Sequence, residues 1–295
     1  MKNKNSLLIE EFVFQLRKAE NTKKSYQRDL EIFNKYLSND LSLDMSKLTQ
    51  ETVQMFIDAL ESGLIKNSKG SRYNPSSINR IFASIRSFCD YTEQRRCILD
   101  IDITKTPHIS KQAAPKSIEV EDIERIRLKV ANSRKTSAQR DLAIVDMLQY
   151  TGIRVGELVA LTKDNIEYDK YLKEYSIHIV KSKNGESRKI PMSKGRFEKT
   201  IKRYLDSRND DCEFLFINHR QKHLTTRSIQ LLLQEYGITP HMLRHTFCTR
   251  LARDNESDPS MIAQLAGHSI AVAQRYTKPT MTQMSNAIDK AFTLE

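Results

Sequence analysis

The stretch at 239–276, TPHMLRHTFCTRLARDNESDPSMIAQLAGHSIAVAQRY, places His241, Arg244, His268 and Tyr276 at spacings that an ordinary core has no reason to choose. Thr239 and Pro240 have the form of a helix start, Thr as the cap and Pro in the first helical position, where its missing N–H costs nothing. His241 then falls in the first turn with Arg244 three residues on, so the two share a face, while Leu243, Phe247 and Leu251 form a buried stripe opposite. That leaves the polar face free for a ligand. A cation beside the unpaired N–H groups and positive dipole end of a helix is unfavourable unless an anion occupies the site. Asp258-Pro259 signals a second short helix and Gly267 its end, which delivers His268 to a turn ahead of a third segment bearing Tyr276.

A metal suits these residues poorly. His241, His245 and Cys248 lie on nearly one helical face and His268 could be a fourth ligand, but no Glu follows His241 as in zincins, and Arg244 between the histidines opposes a cation. A phosphodiester suits them better, because attack on phosphorus builds negative charge on the non-bridging oxygens and fixed positive groups stabilise that transition state differentially. Arginine stays charged and holds two oxygens in a planar fork. Arg154 and Arg244 with imidazole donors would clamp such a centre without a metal or cofactor. A tyrosine whose ordinary pKa of about 10 falls in a cationic pocket would be the nucleophile, and a lysine would protonate the departing oxygen. Taken alone, Arg154 is either half of a structural ion pair with Glu157 or an anion ligand held by it.

The elements that must position these groups follow from length and periodicity. The 295 residues, 39% hydrophobic, suffice for two domains. Lys and Arg number 48 against 37 Asp and Glu, a formal +11 that favours a polyanionic partner. Cys89, Cys97, Cys212 and Cys248 show no CxxC spacing, and neither a membrane span nor a signal peptide is legible, so a cytoplasmic protein is expected. Apolar spacing predicts helices at 6–18, 22–38 and 49–62 and, after Ser76 or Ser77 as cap, a fourth through Ile78, Ile81, Ile85 and Phe88. This makes an all-α module over 1–104. Its Lys23, Lys24, Arg28, Arg72, Arg80 and Arg86, with no anionic cluster between them, suit phosphate contacts, the plain alternative being a solvated surface. Residues 105–116 lose periodicity between Pro107 and Pro115 and carry Lys105, Lys111 and Lys116 with no acid, a basic linker that could lie along a phosphate backbone.

From 117 to 295 the chain reads as mostly helical. A helix at 119–131 precedes one at 138–150 that is apolar on nearly all sides and ends at Thr151-Gly152, after which Leu158 and Leu161 face the core. A β-hairpin at 175–180 and 187–192 turns at Lys183-Asn184-Gly185 and is the one firm strand signal. Further helices are expected at 194–206 and 225–236, and a last one presents Met281, Met284, Ile288 and Phe292, packing at home or on a neighbour.

TGIRVGEL at 151–158, KSKNGESRKIP at 181–191, HMLRHTF at 241–247, LAGH at 265–268 and RYT at 275–277 resemble, in this order, the tyrosine recombinase (phage integrase) family, including Xer-like and transposon-borne members. NTKKSYQRDL and NPSSINRIFASIRSF look like its core-binding module. The resemblance implies a mainly α fold: an all-α core-binding, SAM-like domain (1–104), the linker (105–116), and a mostly α catalytic domain with a small antiparallel β-hairpin or sheet and a tail helix (117–295). It implies a site-specific DNA recombinase that forms a 3′-phosphotyrosyl intermediate, giving integration, excision, resolution or inversion without cofactor or metal. Tyr276 would be the nucleophile; Arg154, Arg244, His241 and His268 would stabilise the phosphorane; Lys183, preferred over Lys181 because it directly precedes the turn and for its spacing to Pro191, would be the general acid; Glu157 would orient Arg154 or another basic side chain. Partners implied are a double-stranded recombination site, three further copies of the chain in a tetramer on two sites, and accessory bending or directionality factors. Seven residues separate His268 from Tyr276, one fewer than is usual in the family. The lack of an arm-binding segment before residue 6 suggests a simple recombinase. A non-cutting DNA-binding regulator of the same fold and a topoisomerase-like nicking and religating enzyme are the alternatives.

Overall fold

The apolar period of the first hundred residues produces four helices, α1 (Lys4–Gln15), α2 (Glu20–Tyr36), α3 (Gln50–Ser62) and α4 (Pro75–Tyr91), followed by a 3-10 turn at Arg95–Ile98. They belong to a computed structural model that describes residues 4–38, 43–105, 117–180, 187–253, 258–277 and 285. The chain divides into two units, Met1–Pro107 and His108–Glu295. In the first, Phe12, Leu30, Phe33, Phe56, Ile81 and Phe88 share one core, with the Phe33 and Phe56 rings 4.7 Å apart. Thr49 caps α3, its hydroxyl accepting from Thr52 N–H at 3.2 Å. The cap of α4 is Asn74, not Ser76 or Ser77: Asn74 Oδ1 accepts from Ser77 N–H at 2.7 Å and Pro75 takes the first helical position. Proline's fixed φ starts the helix there and puts the cap at Asn74, two residues upstream of Ser76. One of the basic residues is committed to a structural pair, since fully buried Asp29 accepts from Ser84 Oγ at 2.8 Å and is paired with Arg80.

The second unit runs α5 (Val120–Ala131), α6 (Ala138–Thr151), α7 (Val155–Ala160), β1 (Ile166–Asp169), β2 (Glu174–Ile179), β3 (Arg188–Ser193), α8 (Lys194–Phe197), α9 (Arg203–Asp206), α10 (Thr226–Gln234), α11 (Pro240–Arg253), α12 (Pro259–Ala266) and α13 (Ile270–Ala273). β2 and β3 pair antiparallel with Ile177 opposite Ile190, as the hairpin reading requires, while the turn expected at 183–185 lies outside the described residues. A third strand was not legible: β1 adds to β2 antiparallel, but its four residues IEYD show no alternation. The helix expected at 194–206 is interrupted by a π turn at Glu198–Lys202. That wider turn seats Phe197, Ile201 and Tyr204 in the core while Thr200 Oγ1 donates to Asp146 at 2.9 Å.

Helix α6 is buried on nearly all sides, as its composition demands, and Asp146 inside it is neutralised by Arg127 at 2.6 Å. It ends at Gly152, whose φ of +60° favours glycine. A Cβ there would lie 2.2 Å from the Phe247 ring, so the same glycine lets α11 approach. Among the described residues no helix is long and apolar enough to cross a membrane. The tail helix with Met281, Met284, Ile288 and Phe292 lies outside the described residues.

Candidate active site

Glu157 is the junction of the site. At the third position of α7 it reaches back to the cap residue, its Oε2 accepting from Arg154 N–H at 2.8 Å and its Oε1 from Arg154 Nη1 at 2.9 Å. Arg188, at the start of β3, adds two more bonds to the same carboxylate, at 2.8 and 3.1 Å. Burial alone would push the Glu157 carboxyl up, but hydrogen bonds from Arg188 and Arg154 bring it below the usual carboxylate range. It stays ionised, as the counter-charge of two guanidiniums.

Both arginines continue to the end of α12, whose last carbonyls lack helical partners. Arg154 donates to the Gly267 carbonyl, and Arg188 Nε donates to Leu265 O at 2.9 Å. Gly267 has φ +63°, and a Cβ on it would sit 2.6 Å from the Arg188 guanidinium. The carboxylate thus fixes two arginines, and the arginines fix the chain that carries His268.

Helix α11 supplies the other half. Thr239 Oγ1 accepts from Met242 N–H at 3.2 Å, and the cap holds as expected. The free polar face does not. Arg244 is only 7% exposed and Cys248 fully buried, because α12 and the 151–154 turn pack on that side, leaving Phe247 and Leu251 half-buried. Arg244 Nη1 donates to Gly152 O at 2.6 Å. Among the described residues no carboxylate forms an ion pair with it, and burial followed by the Arg154 charge lowers its pKa to about 10.

Tyr276 is 4% exposed and packs with Cys248, Ile262, Ala266 and Ala273. Its hydroxyl lies 2.6 Å from His245 Nδ1, and its ring stacks on His268 with centroids 6.1 Å apart. The short His268 to Tyr276 path is closed by α13 and a turn in which Tyr276 N–H donates to Ala273 O at 2.9 Å. The phenol is pushed up to about 12, chiefly by burial, which outweighs Arg275 and Arg244; the expected cationic lowering is therefore overturned. His268 falls to about 4 through burial and then Arg244, and its Nε2 lies 3.7 Å from Cys248 Sγ. His241 is exposed, its ring 6.3 Å from that of His245.

Arg154, Glu157, Arg244, His268 and Tyr276 are therefore brought into one cluster, with His241 at its edge beside His245. Lys183 lies outside the described residues, as do Lys111 and Lys116. In the first unit Lys24, Arg28, Arg72 and Arg86 are exposed, Lys23 faces Glu20 at 3.7 Å, and the Arg86 guanidinium rests over the Phe82 ring at 5.1 Å; Lys105 is exposed. Sequence reasoning missed Arg188 and gave His245 only a metal role. Arg188 had a signal, since it stands in step with Ile190 and Met192 on the inward face of its strand. Two guanidiniums share the Glu157 carboxylate and, among the described residues, Arg244 beside them is paired with none, an excess of positive charge that calls for an anion. Among the described residues no cluster of His, Cys, Asp and Glu could hold a metal ion.

The sequence profile of the phage integrase family matches residues 116–283, and that of the phage integrase N-terminal SAM-like domain matches 9–96. The chain belongs to the phage integrase family and is a tyrosine-type site-specific recombinase, an enzyme of DNA breaking and rejoining. It is 31% identical over 233 residues to the tyrosine recombinase XerA of Thermococcus kodakarensis, covering 76% of this chain and 78% of that protein. The tyrosine recombinase XerA of Pyrococcus horikoshii is 29% identical over 306 aligned positions, covering 99% and 95%. The fold is similar to that of the XerH site-specific recombinase in its post-cleavage complex with a palindromic difH substrate, with a TM-score of 0.71 at 16% identity over 96% of this chain and 84% of that one.

Proposed function

We propose that Tyr276 attacks a scissile phosphate of duplex DNA, forming a 3′-phosphotyrosyl bond and releasing a 5′-hydroxyl that a second strand end replaces on rejoining. Arg154 and Arg244 bind the non-bridging oxygens, with His241 and His268 donating to the same centre. Their charge grows in value as the phosphorane forms, a term of about 10²–10³ in rate per donor. Lys183 protonates the leaving oxygen. Glu157 orients Arg154. The observation that carries this reading is the cluster itself: a buried tyrosine 6.1 Å from His268, beside guanidiniums that outnumber their carboxylate.

In the same proposal, residues 1–104 form a core-binding domain, 105–116 a basic linker and 117–295 the catalytic domain. Lys23, Lys24, Arg28, Arg72, Arg80, Arg86, Lys105, Lys111 and Lys116 contact phosphates, which fix register without reading sequence. Four copies act on two sites, with accessory bending or directionality factors setting the outcome. The XerH complex contains its difH substrate, which supports a DNA duplex as the partner here.

The test is a nicked suicide duplex chosen by the full-length protein from a randomised pool on binding alone. Wild type gives a covalent protein–DNA adduct and Tyr276→Phe gives none. Binding without an adduct from wild type rejects the assignment, and an adduct from Tyr276→Phe transfers the nucleophile elsewhere.

A further inference from the structure

The Tyr276 hydroxyl does not stand alone among cations. Its 2.6 Å contact is to Nδ1 of His245, one turn after His241 on α11 and half-buried. His245 belongs to none of the roles assigned above, yet it touches the atom that must become the nucleophile. With the ring proton on Nε2, the phenol donates and Nδ1 accepts; the other tautomer would reverse the bond. We infer that His245 is the proton acceptor for Tyr276, taking the phenolic proton as the oxygen attacks phosphorus and returning it when that oxygen leaves on rejoining. The inference rests on Tyr276 being the nucleophile.

The atoms balance in both directions. In cleavage the Tyr276 oxygen forms the bond to phosphorus, the bond from phosphorus to the 5′ oxygen breaks, the phenolic proton goes to Nδ1, and the 5′ oxygen takes its proton from the general acid. Rejoining reverses each transfer. An acceptor is needed because the site gives the phenol little help in ionising: burial holds it up to about 12. His245 is held neutral by burial first, then by His241, Arg244 and Arg275. Cys248, His268 and Tyr276 are the other titratable groups of this cluster. A neutral imidazole with a free lone pair can accept, and an anionic phosphate among these cations offsets the charges that depress it. The base therefore gains strength when the phosphate arrives, and the empty site keeps its nucleophile protonated.

Gln at 245 retains a hydrogen-bond acceptor but no basic nitrogen. On the nicked duplex selected above, His245→Gln should slow single-turnover adduct formation by about 100-fold, within the range for loss of a general base. Replacing Tyr276 by the more acidic 3,5-difluorotyrosine should shrink that defect to less than about tenfold, because ionising the phenol is the step His245 assists. A bridging 5′-phosphorothiolate, whose thiolate leaves without a proton, should restore a Lys183→Ala variant and leave the His245→Gln defect intact. Equal defects with both phenols, or rescue of His245→Gln by the phosphorothiolate, overturn the proposal. A further arm leaves residue 245 unchanged: across a series of fluorotyrosines at 276, rates in otherwise wild-type protein should vary by less than about tenfold, whereas rates proportional to the phenolate fraction reject the acceptor. Adducts absent even from wild type on bound DNA would reject the Tyr276 assignment instead.

Discussion

Each unit of the chain buries charge in one-to-one pairs, Asp29 with Arg80 and Asp146 with Arg127, and the second adds a cluster of another kind. In the first, Asp29 is fully buried beneath Arg80, one carboxylate to one guanidinium, with Ser84 filling a further acceptor site at 2.8 Å. In the second, Glu157 serves both Arg154 and Arg188, and Arg244 beside them is 7% exposed with a backbone carbonyl as its hydrogen-bond acceptor at 2.6 Å. A balanced pair is a structural element whose loss unfolds. An unbalanced cluster keeps its excess charge for something absent from the chain itself, and its loss should be felt in chemistry before it is felt in folding.

Arg244→Ala should give the largest separation between the units. It removes a phosphate donor and should reduce adduct formation by about 10²–10³-fold, while the melting temperature changes little because the deleted charge was costly to bury. Quenched-flow cleavage and thermal melts of the same sample decide it, and a collapse in stability without a separate kinetic defect would place Arg244 with the structural pairs. Arg80→Ala is the converse. It leaves Asp29 buried without its ion-pair partner and should cost about 2–3 kcal/mol in urea melts, less than the roughly 3–5 kcal/mol of a fully buried pair because Arg80 is 47% exposed. Its effect on the cleavage rate at saturating DNA should be small.

Acid should also distinguish the units. His245 and His268 are both depressed to about 4 from 6.5, so the unfolded chain takes up protons that the folded one refuses as pH falls through that window. Stability contributed by the second unit is therefore present above about 6.5 and declines toward 4, on the order of 2 kcal/mol or more for the two together. The first unit contains no histidine, and its Asp44, held at about 2 chiefly by its hydrogen bond from Lys4, loses its contribution only below 3.8. Urea melts between pH 7 and 4, read by fluorine resonances of labelled tyrosines in each unit, should show the second unit weakening first. Simultaneous weakening would remove the histidines as the cause. The smallest effect is expected at Asn74→Ala, about 1 kcal/mol for a lost N-cap, with Ser76→Ala nearly silent in the same melts.

Much of this was legible in residue order. The stripes through Phe33, Phe56, Ile81 and Phe88 fixed the helices of the first unit, because a 3.6-residue period has one solution once an apolar face must be buried. Thr239-Pro240 and Asp258-Pro259 marked helix starts, since a cap and a proline at the first position act through local backbone chemistry alone. Local signals also failed where a stronger neighbour overrode them, as Pro75 did in moving the cap from Ser76 to Asn74. The strand β1 escaped because four residues at a sheet edge owe their conformation to the partner β2 rather than to any pattern of their own.

The sequence by itself determined which side chains could handle a phosphate: two arginines, histidines and a tyrosine in a fixed order, whose charges and proton affinities are properties of residue type. Only the tertiary structure decided their state. Arg188 joins the site because β3 and α12 meet at Gly267, and His245 rather than His241 touches the Tyr276 oxygen because α11 and the turn after α13 converge there. The same packing raises the tyrosine that its cationic neighbours would have lowered. Burial and pairing depend on what lies within a few ångströms in space, and Arg188 comes that close to Glu157, and His245 to Tyr276, only after the chain has folded.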